Sequence, residues 1–341
     1  MFFALTDEQQ EFADAVRGYL AERFDTAAVR TVVEAGPDDD GNPAALWRAA
    51  GEQGWLAVTV PEEHEGLGLG LVEAQVIARA LGAGVAPGPW RGTVLAAEAI
   101  RLAGSDEQRA AWLPRLAAGT AVGAFTVAGD AASRLPAVEY GGIADVVVAP
   151  SDAGLPGLSL VTGATATAVG SYDRTTRLAS LSGGTAEALP GATVELQREL
   201  TDRATVLVAA DLAGIAREAL TRTVAYDRER EQFGVPVGSF QALKHALADL
   251  HVGVTMAEHA VLYAAHAVGT AAEGAALAVA VAKAKASEVA EQATGAMIQY
   301  HGGIGYTWEH EAHFFYKRAR RLSGQYGDVA THRERIAALT V

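Results

Sequence analysis

Two runs of residues carry the types and spacings that could do chemistry. The first is Arg228-Glu-Arg-Glu-Gln-Phe-Gly234, continued by Val235-Pro-Val-Gly-Ser-Phe-Gln-Ala-Leu-Lys-His245. It offers a cation (Arg230), an aromatic ring (Phe233) and an amide (Gln241) within one short stretch. A planar guanidinium grips phosphate in a fork, and an aromatic face lies flat on another ring. The second run is Gln299-Tyr-His-Gly-Gly-Ile-Gly-Tyr306. Paired glycines such as Gly302 and Gly303 let a ligand approach the backbone and leave N–H groups for an anion. A plainer reading of the first run stands beside this one: an arginine suits the C-terminal end of a helix dipole, Phe233 anchors a corner and Gly234 ends the helix.

Both runs must be held by long helices. Apolar periodicity predicts helices at about 201–230, 240–269, 271–299 and 309–321, a four-helix bundle. Gly234 reads as the stop after the first of these, with Pro236 behind it, and Ser239 as the cap of the next. Upstream, residues 6–30 show helical spacing at Phe12, Val16, Leu20 and Phe24, and further helices are expected at 43–54, 71–81, 93–103 and 106–117. Around Gly119 the period changes to two. Residues 122–127, 144–149, 158–161, 165–169, 178–182 and 192–196 read as short strands between turn residues. The expected fold is mainly α with a small β domain: a helical domain over 1–118, a middle β domain over 119–197 and a helical bundle over 198–341.

Composition narrows the function. The chain has 341 residues, half of them hydrophobic, enough for two or three domains. It has no cysteine, so disulfides, thiolate nucleophiles and thiolate metal sites are excluded. A net charge of −14 argues against a nucleic-acid surface, so any phosphate contact must be a local basic site. Apolar stretches are interrupted by charge before they reach spanning length. Met1-Phe-Phe-Ala-Leu runs straight into Thr6-Asp-Glu-Gln9, a capping box rather than a leader, and the expected compartment is cytoplasmic. His310-Glu-Ala-His313 lacks zinc-motif spacing and a third ligand, and no Gly-x-Gly-x-x-Gly follows a strand.

Taken together, Arg-x-x-Phe-Gly, a Gln on the next helix and Gln-x-x-Gly-Gly-x-Gly-Tyr resemble the C-terminal domain of the acyl-CoA dehydrogenase family. The resemblance extends over nearly the whole chain. Gly54-Trp55, Pro61-Glu-Glu63 and Gly66-Leu-Gly-Leu-Gly70 match its N-terminal part, and Tyr172-Asp-Arg-Thr-Thr-Arg-Leu178 matches the exit of its middle domain. It implies a helix–sheet–helix architecture, FAD as cofactor, an acyl-CoA substrate and a separate electron acceptor. It also implies a reaction in which a carboxylate removes the α-proton of the thioester as the β-hydride passes to flavin. By this resemblance Arg230, Gln232, Phe233, Gln241, Gln299, Gly302 and Gly303 bind the cofactor.

The sequence departs from the family in two places. The segment that usually walls the flavin reads Phe125-Thr-Val-Ala-Gly-Asp-Ala-Ala-Ser133, without its Glu or its Gly-Ser-Asp, and no Trp lies between Trp112 and Trp308. The usual catalytic Glu is replaced in Gln325-Tyr-Gly-Asp-Val329, where Gly327 takes its place and Asp328 is one residue off. Some members carry the base just before an Arg at the start of the first C-terminal helix, where this chain has Asp202-Arg203. Asp202 is therefore the candidate base within the chain, with a cap or first-turn acid as the plainer alternative. A chain that keeps the ADP-side residues and loses the flavin wall resembles the short subunit of actinobacterial heteromeric (α2β2) acyl-CoA dehydrogenases acting on steroid-CoA esters. That implies a second, more complete acyl-CoA dehydrogenase-like subunit. A catalytically silent subunit and a flavin-dependent oxidase on the same fold are the other readings.

Overall fold

A computed structural model describes residues 4–36, 39–152 and 155–341; residues 1–3, on which the leader reading drew, lie outside the described residues. In chain order the elements are α1 (Asp7–Arg23), α2 (Thr26–Glu34), α3 (Ala44–Glu52), α4 (Leu71–Ala83), α5 (Trp90–Ala103) and α6 (Asp106–Ala117). Then come β1 (Gly123–Phe125), β2 (Arg134–Glu139), β3 (Val146–Asp152), β4 (Leu155–Thr162), β5 (Thr165–Val169), β6 (Leu178–Ser182) and β7 (Thr185–Ala188). α7 (Val194–Glu229) leads into a small hairpin, β8 (Glu231–Gln232) and β9 (Val235–Pro236). α8 (Gln241–Gly269), α9 (Ala275–Tyr300), α10 (Ala312–Gly324) and α11 (Val329–Thr340) follow. The helix–sheet–helix order is the one expected, and no helix of the described residues is long and apolar enough to cross a membrane.

The chain packs as two compact units, one of Met1–Arg30, Gln75–Ala86 and Thr205–Val341, the other of Thr31–Ala74 and Pro87–Ala204. The second unit holds both sheets. One has the order β1-β3-β4-β7, with β1 parallel to β3, and the other the order β2-β6-β5. Alternate residues of both sheets, among them Ala124, Val147, Val161, Leu135, Val138 and Leu181, share one buried core. β5 is an edge strand, and its alternate threonines Thr165 and Thr167 stand exposed.

Local chemistry explains where expectation and structure part. Thr6 and Gln9 form the expected capping box, each accepting the other's backbone N–H at 3.2 and 3.0 Å. The single helix expected over 6–30 breaks after Arg23, because the Asp25 carboxylate accepts from Ala28 N–H and restarts the chain as α2. The strand expected at 192–196 is instead the start of α7: the Thr193 hydroxyl accepts from Leu196 N–H at 3.2 Å, and capping outweighs a brief alternation. α11 was not expected. It starts where Asp328 accepts from the N–H of Thr331 at 2.8 Å.

In the first unit, α9 is rich in alanine and small enough to be packed by α8, α10 and α11. α4 and α7 approach backbone to backbone: a Cβ at Gly82 would lie 2.2 Å from Asp211 O, and one at Gly214 2.0 Å from Arg79 O. α10 is tied to the same place by Arg318, which forks onto Asp211 at 3.1 and 2.6 Å and donates to Ala86 O at 2.8 Å. Breaking a buried pair of this kind by removing one partner costs roughly 3–5 kcal/mol.

Candidate functional site

α7 ends at Glu229, and the chain turns into a two-residue hairpin. Arg230 N–H donates to Tyr226 O at 2.8 Å, Val237 N–H donates back to Arg230 O at 2.7 Å, and Glu231 and Gln232 pair with Pro236 and Val235. The tip residues Phe233 and Gly234 both have positive φ, 55° and 77°, as a tight hairpin of this hand requires. Gly234 is thus a hairpin tip and not the helix stop. Ser239 lies in a short 3₁₀ turn, Val237–Ser239, and Phe240 occupies the N-cap position of α8 with no side-chain bond. An aromatic residue held in the left-handed region is strained by about 1–2 kcal/mol. Phe233 bears that strain while 92% exposed, touching only the edge of Phe240 at 6.2 Å between ring centres among its aromatic neighbours. Arg230, Gln232 and Gln241 are exposed beside it, the Gln232 amide donating to Glu231 O.

The second run closes α9. Gln299 is exposed, Gly302 takes φ 62°, and Gly302 and Gly303 both face open space where a Cβ would stand. Gly305 is different, since a Cβ there would meet Ile298 O at 2.5 Å. The fold itself therefore asks for glycine at 302 and 305 but not at 303, where the open backbone is free for a ligand. His301 joins the two runs. Its ring stacks on Tyr226 of α7 at 4.4 Å, lies 4.5 Å from His310, and its Nδ1 bonds Met297 O at 2.7 Å. Burial pushes its pKa below the ordinary histidine value. His313 stacks on Trp308. His301 sits inside the glycine run, but nothing in its spacing pointed to Tyr226.

Asp227 lies at the same joint. It is 1% exposed, and neither carboxylate oxygen has a hydrogen-bond partner among the described residues. The turn after the hairpin passes close to its backbone, for a Cβ at Gly238 would lie 2.9 Å from Asp227 O. Burial pushes the Asp227 carboxyl upward, with His301 pulling the other way.

The two candidate base positions are also defined. Asp202 is half-buried and more than two turns beyond Val194, where α7 begins, so it is neither a cap nor a first-turn acid. It belongs to the second unit, whereas the two runs belong to the first. Its neighbour Arg203 bonds Glu98 at 2.7 Å and Glu199 at 3.0 and 2.7 Å, and Glu98 also takes Arg101 at 2.8 and 3.1 Å. This network was not foreseen; its one signal was Glu98 inside the apolar run from Val94 to Ile100. At Gly327 the backbone has φ 100°, and a Cβ would stand 3.0 Å from His332 Nε2 and 3.2 Å from Thr331 Cγ2. The Gly327 carbonyl accepts from the buried Lys283 ammonium at 2.9 Å. Asp328 is spent on the α11 cap, and the Thr331 N–H holds its carboxyl below the ordinary range. In the second unit the Thr126 hydroxyl accepts from Ala128 N–H at 3.1 Å within a local turn. Among the described residues no group of three His, Asp or Glu could hold a metal ion.

Two family models match the chain: "Acyl-CoA dehydrogenase, N-terminal domain" over residues 6–120 and "Acyl-CoA dehydrogenase, C-terminal domain" over residues 194–340. Acyl-CoA dehydrogenase IpdE2 of Mycobacterium tuberculosis is 37% identical over 317 residues, covering 92% of this chain and 91% of that protein. IpdE2 of Mycolicibacterium smegmatis is 35% identical over 324 residues, covering 92% and 93%. Among solved structures, the ChsE4–ChsE5 complex from Mycobacterium tuberculosis aligns with a TM-score of 0.89 at 25% identity, over 99% of this chain and 98% of that one. A variant of the Tcur3481–Tcur3483 steroid ACAD aligns with a TM-score of 0.87 at 27% identity, over 98% and 97%.

The Asp227 geometry has a measurable consequence. With its pKa raised in the folded state, the stability it contributes is full at low pH. That stability is lost as pH rises from the ordinary carboxylate range through the raised value. Asp227→Asn, nearly isosteric and uncharged, is expected to stabilise the protein at neutral pH by about 1–3 kcal/mol and to flatten that slope. Urea denaturation at mildly acidic and neutral pH measures both, and a lower midpoint with an unchanged slope contradicts the assignment.

Proposed function

Because the chain belongs to the acyl-CoA dehydrogenase family, whose members depend on FAD, we propose that it is the short subunit of a heteromeric enzyme that introduces an α,β double bond into an acyl-CoA thioester. The observation that carries this reading is an asymmetry. The chain presents Arg230, Phe233, Gly302 and Gly303 in the open, whereas position 327 carries no carboxylate and has a left-handed backbone on which a Cβ would crowd His332 at 3.0 Å. The two-protein assemblies ChsE4–ChsE5 and Tcur3481–Tcur3483 support a partner subunit, and the steroid named for the second supports a steroid-CoA ester as substrate. In this reading the three parts of the family are residues 1–118, 119–197 and 198–341, and the enzyme works in the cytoplasm with a separate electron acceptor.

The residues fit the ADP half of FAD. Arg230 makes no ion pair among the described residues and is free to fork onto a phosphate oxygen. The open backbone at Gly303 presents its N–H to the same anion, while the Gly302 N–H donates to Gln299 O at 3.2 Å and holds the turn. Phe233 offers its exposed face to a flat ring, and Gln232, Gln241 and Gln299 offer amides to hydroxyl and base edges. Held by these residues, FAD would supply the oxidising equivalent for the dehydrogenation. Proton abstraction needs a carboxylate oxygen within about 3 Å of its target or one bridging water. Gly327 cannot provide it, so the partner does, with Asp202 as the alternative within this chain.

Purified alone, the chain is expected to bind little FAD, because it lacks the residues that wall the flavin; purified with a longer homologue, the assembly is expected to be yellow. A stoichiometric yellow homo-oligomer of this chain alone contradicts the heteromeric reading.

In the assembly, Arg230→Ala is expected to weaken FAD retention roughly tenfold to a hundredfold, since a charge-assisted contact is worth about 1.5–3 kcal/mol. Unchanged flavin occupancy on dilution leaves Arg230 as a helix-end charge.

Asp202→Asn in the same assembly removes basicity and keeps size. Only a small change in kcat is expected. A fall of about a hundredfold or more with FAD still bound moves the base into this chain.

A further inference from the structure

A separate cavity of about 230 Å³ opens where α1, α4, α7 and α8 meet in the first unit, sharing no residue with the two runs above. Small residues such as Ala83 and Gly214 leave the space, and the charged residues around it are Arg17, Arg79, Arg217, Glu218 and Glu258. Three guanidiniums against two carboxylates leave one positive charge. The pairing shows which. Arg17 bonds Asp14, Arg217 forks onto Glu258 at 3.1 and 2.5 Å, and Glu218 accepts from Arg222 at 2.8 Å. The Arg79 side chain makes no hydrogen bond or ion pair among the described residues. Its backbone is rigidly placed, because its carbonyl lies against Gly214 on α7. Burial works against its charge, Arg17 and Arg217 repel it, and Glu258 alone opposes them. A guanidinium does not escape by losing its proton at neutral pH. An unpaired, crowded and partly desolvated cation facing a cavity is relieved by an anion.

We propose that this cavity binds a small, singly charged oxyanion, a carboxylate or the phosphate monoanion, held in a fork by Arg79. The volume sets the class. Sites for drug-sized ligands and cofactors run at about 300–1,000 Å³, so a nucleotide or CoA does not fit, whereas a small anion does. The charge agrees, because one negative charge neutralises the cavity. Arg217 flanks the anion but stays engaged by Glu258, and Arg79 supplies both donors.

The test is calorimetric titration of the purified protein with acetate and, separately, inorganic phosphate, each against chloride at matched ionic strength. One saturable site per chain is expected for at least one of the two, and whichever anion saturates identifies the source. Arg79→Gln is expected to weaken that site roughly tenfold to a hundredfold. Arg79→Lys, a point charge without the fork, is expected to fall between. Glu258→Gln frees Arg217 and is expected to tighten binding, which keeps the proposal testable if Arg79→Gln does not fold. Absence of a saturable site for both anions, equal affinity in Arg79→Gln, or weaker binding in Glu258→Gln overturns the assignment.

Discussion

The contact between Tyr226 and His301 is the one on which the candidate cofactor site depends. Without it, Arg230 at the end of α7 and Gly302–Gly303 at the end of α9 are simply two helix termini. An aromatic stack is worth only about 0.5–1.5 kcal/mol beyond its buried area, far less than the packing of two long helices. Its role is registration. The helices bring their ends near each other, and the ring pair, anchored by the His301 bond to Met297 O, fixes how the ends face. The same joint encloses Asp227, whose unpartnered carboxylate is a local cost that the packing of α7 sustains.

A second constraint acts on what the chain cannot do. Lys283 is wholly buried, its pKa pushed down by burial to about 8, and its ammonium donates to Ser287 Oγ, Ser323 O and Gly327 O at 3.1, 2.9 and 2.9 Å. Those bonds pin the turn between α10 and α11, with the Gly327 carbonyl toward Lys283 and the missing side chain toward His332. The loss of a carboxylate there is therefore built into the tertiary structure. A single reversion at 327 would have to adopt a left-handed backbone and displace a buried histidine.

Arginine placement connects these features. In a chain with a net charge of −14, several arginines are consumed in buried pairs that set helix positions, Arg203 with Glu98 and Arg318 with Asp211 among them. Arg230 and Arg79 are spared such pairing. One stands exposed beside a hairpin tip, the other inside a small cavity, and each is free to meet an anion of the size its surroundings admit.

Short-range physics was legible in the sequence. The capping box at Thr6, the strands at Thr165–Val169 and Leu178–Ser182, helix α6 and the helix–sheet–helix order follow from periods and caps spanning a few residues. The two candidate runs could likewise be picked out in the sequence, because their residue types are contiguous. Only the tertiary structure decided that Gly234 tips a hairpin, that Asp202 lies deep in α7, that His301 meets Tyr226 and that Arg79 faces a cavity unpaired. Each of these depends on groups far apart in the chain, or on the competition between a local cap and a longer ladder. Composition and spacing carry no record of which partner a side chain finds or fails to find, and that is what separates a helix-end charge from a ligand site.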